Sequence, residues 1–253
     1  MDLHDYRDVA ENYDLYLESM YANKDHYAHF QEFYLDLAKR YGQGGVVDVA
    51  CGTGAVLLCL AQRGIDIDGT DLSEEMCRVA SEKARALGLE LNIIPADMTR
   101  FSSGRKYTLA IIARSGFMHL PTSEIQQRAL RNLRDQLLPR GILTLNTFDP
   151  WPLAQAAQMR TTPEDYSLRL EYVNRDGNRE EIYNAITYNP YTQQMYGATG
   201  SSWSTTPTEG SSVSACGRLR CARPTAGRCF CWRSCAGLKW WTSIAATTGT
   251  GRT

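Results

Sequence analysis

The sequence contains no run of about 20 apolar residues, the length a helix needs to cross a bilayer. It has no basic excess: 27 Lys and Arg stand against 28 Asp and Glu, a formal net charge of -1. A nucleic-acid binder needs a basic stripe to neutralise phosphates, so no nucleic-acid partner is expected. The opening MDLHDYRDVAENYD carries acids and aromatics where a secretory leader has a basic and then an apolar region. Together these absences predict a soluble, cytoplasmic protein without a membrane partner. Histidine is scarce, and His4, His26, His29 and His119 form no plausible metal set, so no metal is expected. No internal repeat is visible, and 253 residues suffice for one large α/β domain with its own core.

What is present is an alternation of strand and helix patterns. Residues 24–40 repeat Tyr27, Phe30, Phe33, Tyr34, Leu37 and Ala38 at helical spacing, and Gly42 to Gly45 end that helix. VVDVA (46–50) predicts a short buried strand, CGTG a turn, and AVLLCLAQ (55–62) a helix that stops at Gly64. IDIDGTD (65–71) is the second strand. Ser73 then caps a helix whose first turn holds Glu74 and Glu75, and Gly88 ends it. LELNIIP (89–95) and YTLAIIA (107–113) are the third and fourth strands. An amphipathic helix over 123–138 and a Pro139-Arg140-Gly141 turn lead to a fifth strand, ILTLNTF (142–148). This order predicts an α/β, Rossmann-like fold, a mostly parallel sheet with helices on both faces. After Phe148, segments 168–173 and 181–188 alternate around Asp176-Gly177, a hairpin signal. They predict a small antiparallel insertion over the carboxyl edge of the sheet, where ligands bind in open α/β folds. The expected organisation is a helical cap (1–41), a core (42–149), an antiparallel insertion (150–199) and an atypical tail (200–253).

The chemistry is concentrated in VVDVACGTG (46–54) and in Asp71. Gly52 and Gly54 allow a ligand to approach the backbone, and the following helix offers free N–H groups. An acid about twenty residues on, at the tip of the second strand, suits the two hydroxyls of a ribose. Two further absences choose among nucleosides. Leu57 stands where a dinucleotide fingerprint places its third glycine, and the Lys-Ser/Thr pair of a phosphate-binding P-loop is missing. Asp48, beside the loop, would repel a pyrophosphate but suits a ligand with a sulfonium and an ammonium group. S-adenosylmethionine has that chemistry.

DVACGTG, GTDLSEEM, PADMTRF and the Pro-Arg-Gly turn resemble the class I S-adenosylmethionine-dependent methyltransferases, over roughly residues 6–196. The resemblance implies that Asp48, Gly52 and Gly54 border the methionine part of the cofactor, and Ala50 and Ala113, at the end of the fourth strand, belong to the same cofactor-binding set. It implies that Asp71 takes the ribose, that Leu72 and Met76 flank the adenine, and that Asp97 and Met98 contact its amine. Ala50 and Arg140 depart from the family's usual glycines; alanine, with only a methyl more, leaves the resemblance intact, and Arg140 is expected to be neutral on a surface turn. VAENYDLYL and SGFMHL resemble, more loosely, the amino-sugar N-methyltransferases of that class. By that resemblance Tyr13 packs near the sulfonium and His119 lies near the acceptor as the catalytic base. Methyl transfer to a small-molecule amine or hydroxyl is the implied activity.

Other readings stand beside these. Asp48 could cap the loop's N–H groups, Asp71 could form an Asx turn before Ser73, and Tyr13 and Tyr16 could be packing residues. A nucleotide-dependent oxidoreductase and a catalytically weak or inactive protein of the same fold are the alternative functions. Tyr166, Tyr172, Tyr183, Tyr188, Tyr191 and Tyr196 are expected to help shape an acceptor pocket.

The tail lacks what the rest has. All fourteen tyrosines precede residue 197, and no acid follows Glu209, whereas four of five tryptophans and five of eight cysteines lie beyond residue 200. Cysteines at 216, 221, 229, 231 and 235 lack the C-x-x-C pairs of a zinc site, and a cytosolic chain gives no reason for disulfides. Disorder would favour acids, lysine and proline instead. A shifted reading frame is the third explanation. Lys239-Trp240-Trp241-Thr242 must be encoded AAR TGG TGG ACN, which from its third base reads Met or Val, then Val, then Asp. Cys229-Phe230-Cys231-Trp232 likewise reads Phe or Leu, then Leu, then Leu. The resemblance implies that such chains end in a helix and closing strands, so the fifth strand is expected to be left as an exposed edge.

Overall fold

The computed structural model describes residues 10–20, 24–147, 167–175, 177–189, 194–204, 220–221, 225–228 and 246–247. The chain divides into two compact units. Residues 25–149 form the body of the first, and 11–24 with 150–231 the second.

In the first unit, five parallel strands run β1 (Val46–Val49), β2 (Ile67–Asp71), β3 (Ile93–Pro95), β4 (Tyr107–Ile112) and β5 (Leu137–Leu145). Their order across the sheet is β5-β4-β1-β2-β3, so the chain steps outward from β1 to β3 and then crosses to β4. The neighbouring pair β1 and β4 is therefore the switch point, and the crevice at its carboxyl end is where an open α/β sheet binds ligands. Helix α2 (Lys24–Tyr41) precedes the sheet, and α3 (Leu57–Ala61), α4 (Glu74–Ala86) and α5 (Ser123–Gln136) connect its strands.

The two-residue period of the strands sorts their side chains. Val46, Leu109 and Ile111 join Phe30, Tyr34 and Ala38 of α2 and Leu57, Leu60 and Ala61 of α3 in one core. Val47, Val49, Ala110 and Ile112 point the other way and pack with Leu133 of α5, Phe101 and Tyr107. Both faces of the sheet are thus covered, which is why its strands read as continuous apolar runs. Asp48 shares the parity of Val46 and so belongs with the α2 face.

Local signals hold in α4 and α5. Ser73 Oγ accepts from Met76 N at 3.3 Å and Thr122 Oγ1 from Ile125 N at 3.2 Å, each capping a helix that begins one residue later. Other expectations are shortened. The helix expected over 55–62 is the five-residue α3, because Gly54 to Val56 remain in the turn, and the strand expected over 89–95 is reduced to Ile93–Pro95.

The largest difference is at β5. The expected turn at 139–141 is part of the strand, which runs from Leu137. Tyr107 pairs with Leu137 but Leu109 with Ile142, so the longer stretch of β5 between these pairs bulges outward. Leu138, Pro139 and Arg140 are exposed there. Arg140 carries φ +67, a left-handed conformation that costs a residue with a Cβ about 1–2 kcal/mol. The expectation that Arg140 is a harmless replacement for glycine is therefore corrected.

In the second unit, β6 (Ser167–Val173), β7 (Arg179–Asn189) and β8 (Gln194–Ser204) form an antiparallel meander, with α1 (Tyr13–Met20) beside β6. The β6–β7 connection is stabilised by Asn174, whose Oδ1 accepts from Asn178 N at 2.9 Å. The third strand, β8, goes beyond the two-stranded hairpin that the sequence pattern predicts. Arg220–Cys221 and Thr225–Arg228 add short antiparallel pairings to it. Most of the tail expected to be out of frame, including Lys239 to Thr242 and Cys229 to Trp232, lies outside the described residues.

Arg140→Gly is expected to raise the unfolding free energy by about 0.5–1 kcal/mol, the relief of the left-handed strain less the extra entropy glycine gives the unfolded chain. Arg140→Ala keeps the Cβ and should leave stability unchanged. Urea unfolding checks this through a midpoint that rises for glycine alone at constant slope.

Candidate cofactor site

The site is built where β1 and β2 end. Ala50 and Gly52 take left-handed conformations, φ +58 and +56, and Gly54 follows at φ +88, so the chain reverses sharply after Val49. Cys51 N donates to Thr70 O at 3.0 Å, and Gly52 N donates to Asp71 Oδ2 at 2.8 Å. The turn is therefore anchored on the neighbouring strand. A Cβ built at Gly52 meets nothing within 4 Å, so space lies over this turn, whereas one at Gly54 would press on Leu58 at 3.0 Å. Ala50 bears the strain of a left-handed backbone, and a Cβ on Gly116 would come within 2.9 Å of the Ala50 methyl, so the two chain segments touch closely there.

Leu57, in the position of a third glycine, is fully buried, and a Cβ at Gly69 would lie 2.7 Å from it. The glycine that permits close helix–strand packing is on the strand instead of the helix.

Asp48 is 1% exposed. Its Oδ2 accepts from Leu57 N at 3.1 Å, while Oδ1 is buried without a hydrogen-bond partner. The capping reading of Asp48 therefore accounts for one oxygen and leaves the other. Burial, with the nearby Asp71 charge adding to it against the Leu57 N–H, pushes the Asp48 carboxyl up to about 8. Asp71 serves two roles at once: Oδ2 takes Gly52 N and Oδ1 takes Ser73 N at 2.9 Å, the latter being the Asx turn.

The other predicted residues are distributed along the same edge. Leu72, next to Asp71, is half exposed, and Met76 is buried one turn into α4. Ala96 N donates to Asp71 O at 2.7 Å, which brings the segment after β3 to the tip of β2. Asp97 there accepts from Thr99 N at 2.8 Å and pairs with Arg100 at 3.6 Å; Met98 packs on the α5-side core. Ala113 is buried at the end of β4, and His119 closes a short 3-10 helix, Gly116–His119, just beyond it. Tyr13 opens α1 and so belongs to the second unit, whereas the rest of the set belongs to the first. Among the described residues no group of three or more His, Cys, Asp or Glu could hold a metal.

Several residues of this region escape a reading of the sequence. Gln31 Nε2 donates to Ala55 O at 3.1 Å, tying α2 to the loop. Tyr34 is fully buried, and its hydroxyl donates to Asn146 Oδ1 at 3.0 Å, just past β5. Burial and then the Asp48 charge push the Tyr34 hydroxyl well above its usual range, so it stays a donor. Arg114 lies over the Phe30 ring at 5.8 Å, and both Arg114 and Ser115 are left-handed. Tyr34 and Phe30 read as packing positions of a helix; a buried tyrosine's need for a hydroxyl partner is the available signal.

Residues 46–141 match the family model described as a methyltransferase domain. Among curated relatives, the Thermus thermophilus demethylmenaquinone methyltransferase is 29% identical, over 58% of this chain and 66% of its own. A Streptomyces fradiae dTDP-amino-sugar N,N-dimethyltransferase is 28% identical, over 57% and 53%. The matches span about half the length of most such relatives. In fold, an S-adenosylmethionine-dependent methyltransferase from Clostridium acetobutylicum aligns at TM-score 0.65 with 17% identity, covering 90% of this chain and 82% of that one. The sugar N-methyltransferase KedS8 from Streptoalloteichus aligns at 0.62 with 18% identity, covering 86% and 78%.

The residues of this turn fit S-adenosylmethionine. The partnerless Asp48 oxygen accepts a cation, and the open turn at Gly52 leaves room for one. With its folded value raised from 3.8 to about 8, Asp48 binds its proton more tightly in the fold than in the unfolded chain. Its contribution to stability is therefore fullest below about pH 4, declines as pH rises toward 8, and is constant above. A cation beside Oδ1 reverses the balance and ionises the group. Binding of S-adenosylmethionine at pH 7 is expected to release close to one proton, and Asp48→Asn to release none. Titration calorimetry in buffers of different ionisation enthalpy reads this number directly.

Proposed function

We propose that the protein transfers a methyl group from S-adenosylmethionine to a small-molecule acceptor bearing an amine or hydroxyl, in the cytoplasm and without a nucleic-acid or membrane partner. The observation that carries the reading is the buried, partnerless Asp48 oxygen beside the turn that Asp71 anchors. Consistent with it, no helix among the described residues is long and apolar enough to cross a membrane. An amino-sugar-like acceptor is favoured by the Streptomyces relatives, whose names give dTDP-amino sugars as substrates.

When bound, S-adenosylmethionine supplies an electrophilic methyl group. The chain's part is to bind, orient and exclude water, and orientation alone supplies much of the acceleration of an in-line displacement. Asp48, Ala50, Gly52, Gly54 and Ala113 would border the methionine part, Asp71 the ribose, and Leu72, Met76, Asp97 and Met98 the adenine. Tyr13 would offer an aromatic face to the sulfonium. His119 would take the proton from an amine acceptor at an imidazole nitrogen. Tyr172 donates to Glu180 within the meander; Tyr183, Tyr188 and Tyr196 lie on β7 and β8, and Tyr166 and Tyr191 are outside the described residues. These tyrosines would shape the acceptor's surroundings.

Buried Leu57 and the carboxylate of Asp48 disfavour a dinucleotide, and the oxidoreductase reading is dropped. A cofactor-binding protein with little turnover is the second reading, favoured by the anomalous tail alone.

Calorimetry with S-adenosylhomocysteine should give a binding isotherm that a nicotinamide dinucleotide does not. Asp71→Ala is expected to weaken binding by about 1–3 kcal/mol, and unchanged affinity would sink the ribose assignment. His119→Ala is expected to lower kcat by roughly 10²–10⁴ while leaving S-adenosylhomocysteine affinity intact. Mass spectrometry of an amine and amino-sugar pool with labelled cofactor identifies the acceptor.

A further inference from the structure

We infer that the sequence from about residue 200 onward is read one base out of frame, and that the displaced frame encodes a strand belonging on the open edge of β5. Two independent observations meet here, one in the sheet and one in the codons.

The sheet is closed unequally. β3 ends one side with three residues, but β5 is a nine-residue strand whose inner edge pairs with β4. Among the described residues its outer edge is met only by Ala246–Thr247, paired antiparallel with Leu143 and Ile142. Among the described residues only two of the nine positions of β5 are paired on that side, and folded chains cover such a strand edge because it recruits other chains.

The tail's composition says what would cover it. From residue 210 it holds seven Lys or Arg and no acid. Trp203, Cys216, Cys221, Cys229, Cys231, Trp232, Cys235, Trp240 and Trp241 all have codons that begin TG. Read from the third base of the preceding codon, every one of these nine becomes NTG, which is Leu, Met or Val whatever the unknown base. An excess of Cys and Trp in the printed frame is therefore the image of an excess of aliphatic residues in the other. Across Arg228 to Cys235 the reading is Leu/Met/Val, Phe/Leu, Leu, Leu, Ala/Glu, then Phe/Leu/Ile/Val if Ser234 has a TCN codon (Gln, Lys, Glu or a stop if it has AGY), then Leu/Met/Val. Its first four positions and its seventh are apolar, an aliphatic block of the kind that a folded core buries. Four codons intervene, and then come Met/Val, Val, Asp, followed by Phe, Leu, Ile or Val if Ser243 has a TCN codon. That is a β-branched apolar run of the kind the parallel strands here already show, VVDV in β1 among them. An aliphatic block followed by such a strand, in a chain whose last long parallel strand is β5, would supply both the strand and the connection that brings it there. The displacement corresponds to a shift of one base, and it falls after Tyr196, the last tyrosine.

The gene should be sequenced from genomic DNA across codons 190–253, and the frame-restored chain prepared beside the printed one. The displaced frame is expected to be open through codon 244. A stop codon within it between codons 216 and 244 (the Leu238–Lys239 junction can supply one) would overturn the inference. The restored chain is expected to melt at least about 5 °C higher. Its β5 amides that point away from β4 should exchange slowly, whereas in the printed chain they exchange fast. Equal exchange at those amides in the two chains would overturn the assignment of the strand to β5, even with the frame open.

Discussion

Asp71 carries the connection on which the site depends. Its two oxygens hold Gly52 N at 2.8 Å and Ser73 N at 2.9 Å, joining the loop after β1, the tip of β2 and the start of α4. Each of these segments would otherwise end in unpaired backbone N–H groups at the carboxyl edge of the sheet. Because the same carboxylate faces that edge, the element that shapes the crevice is also the one suited to a ribose. A substitution at this position therefore alters the architecture of the edge as well as any ligand contact the carboxylate makes.

A second carboxylate nearby sets the electrostatics. Asp48 is buried on the α2 face of β1, and its unpaired oxygen is costly in a low-dielectric interior unless a cation or proton is present. Tyr34, whose hydroxyl the Asp48 charge perturbs, donates to Asn146 at 3.0 Å and does not neutralise that charge. The fold thus stores an unmet demand for positive charge at one point. Left-handed backbone at Ala50, Arg114 and Ser115 clusters along the same crevice, the strain that functional edges tend to retain.

Much of this is legible in the chain. The apolar runs mark β1, β2 and β4, and Ser73 and Thr122 begin α4 and α5 because capping is a local interaction. The turn at Gly52 and Gly54 and the acid at its far side are readable because spacing alone brings them to neighbouring strand tips. The β5 bulge is not legible: Pro139, Arg140 and Gly141 read as a turn, and only pairing with β4 shows that the strand runs through them. Nor is β8, which depends on a partner, β7, for its existence.

Residue types and spacing determined that a glycine turn, Asp48 and Asp71 would share one edge of a parallel sheet, since βαβ order leaves strand tips no other place to be. They also mark the tail by its composition, rich in Cys and Trp and without an acid after Glu209. Tertiary structure decided the rest. It decided that Leu57 packs against Gly69, that Tyr34 reaches Asn146 across 112 positions, and that one oxygen of Asp48 is left without a partner. Such facts depend on which residues distant in sequence come within a few ångströms, and no local pattern encodes that.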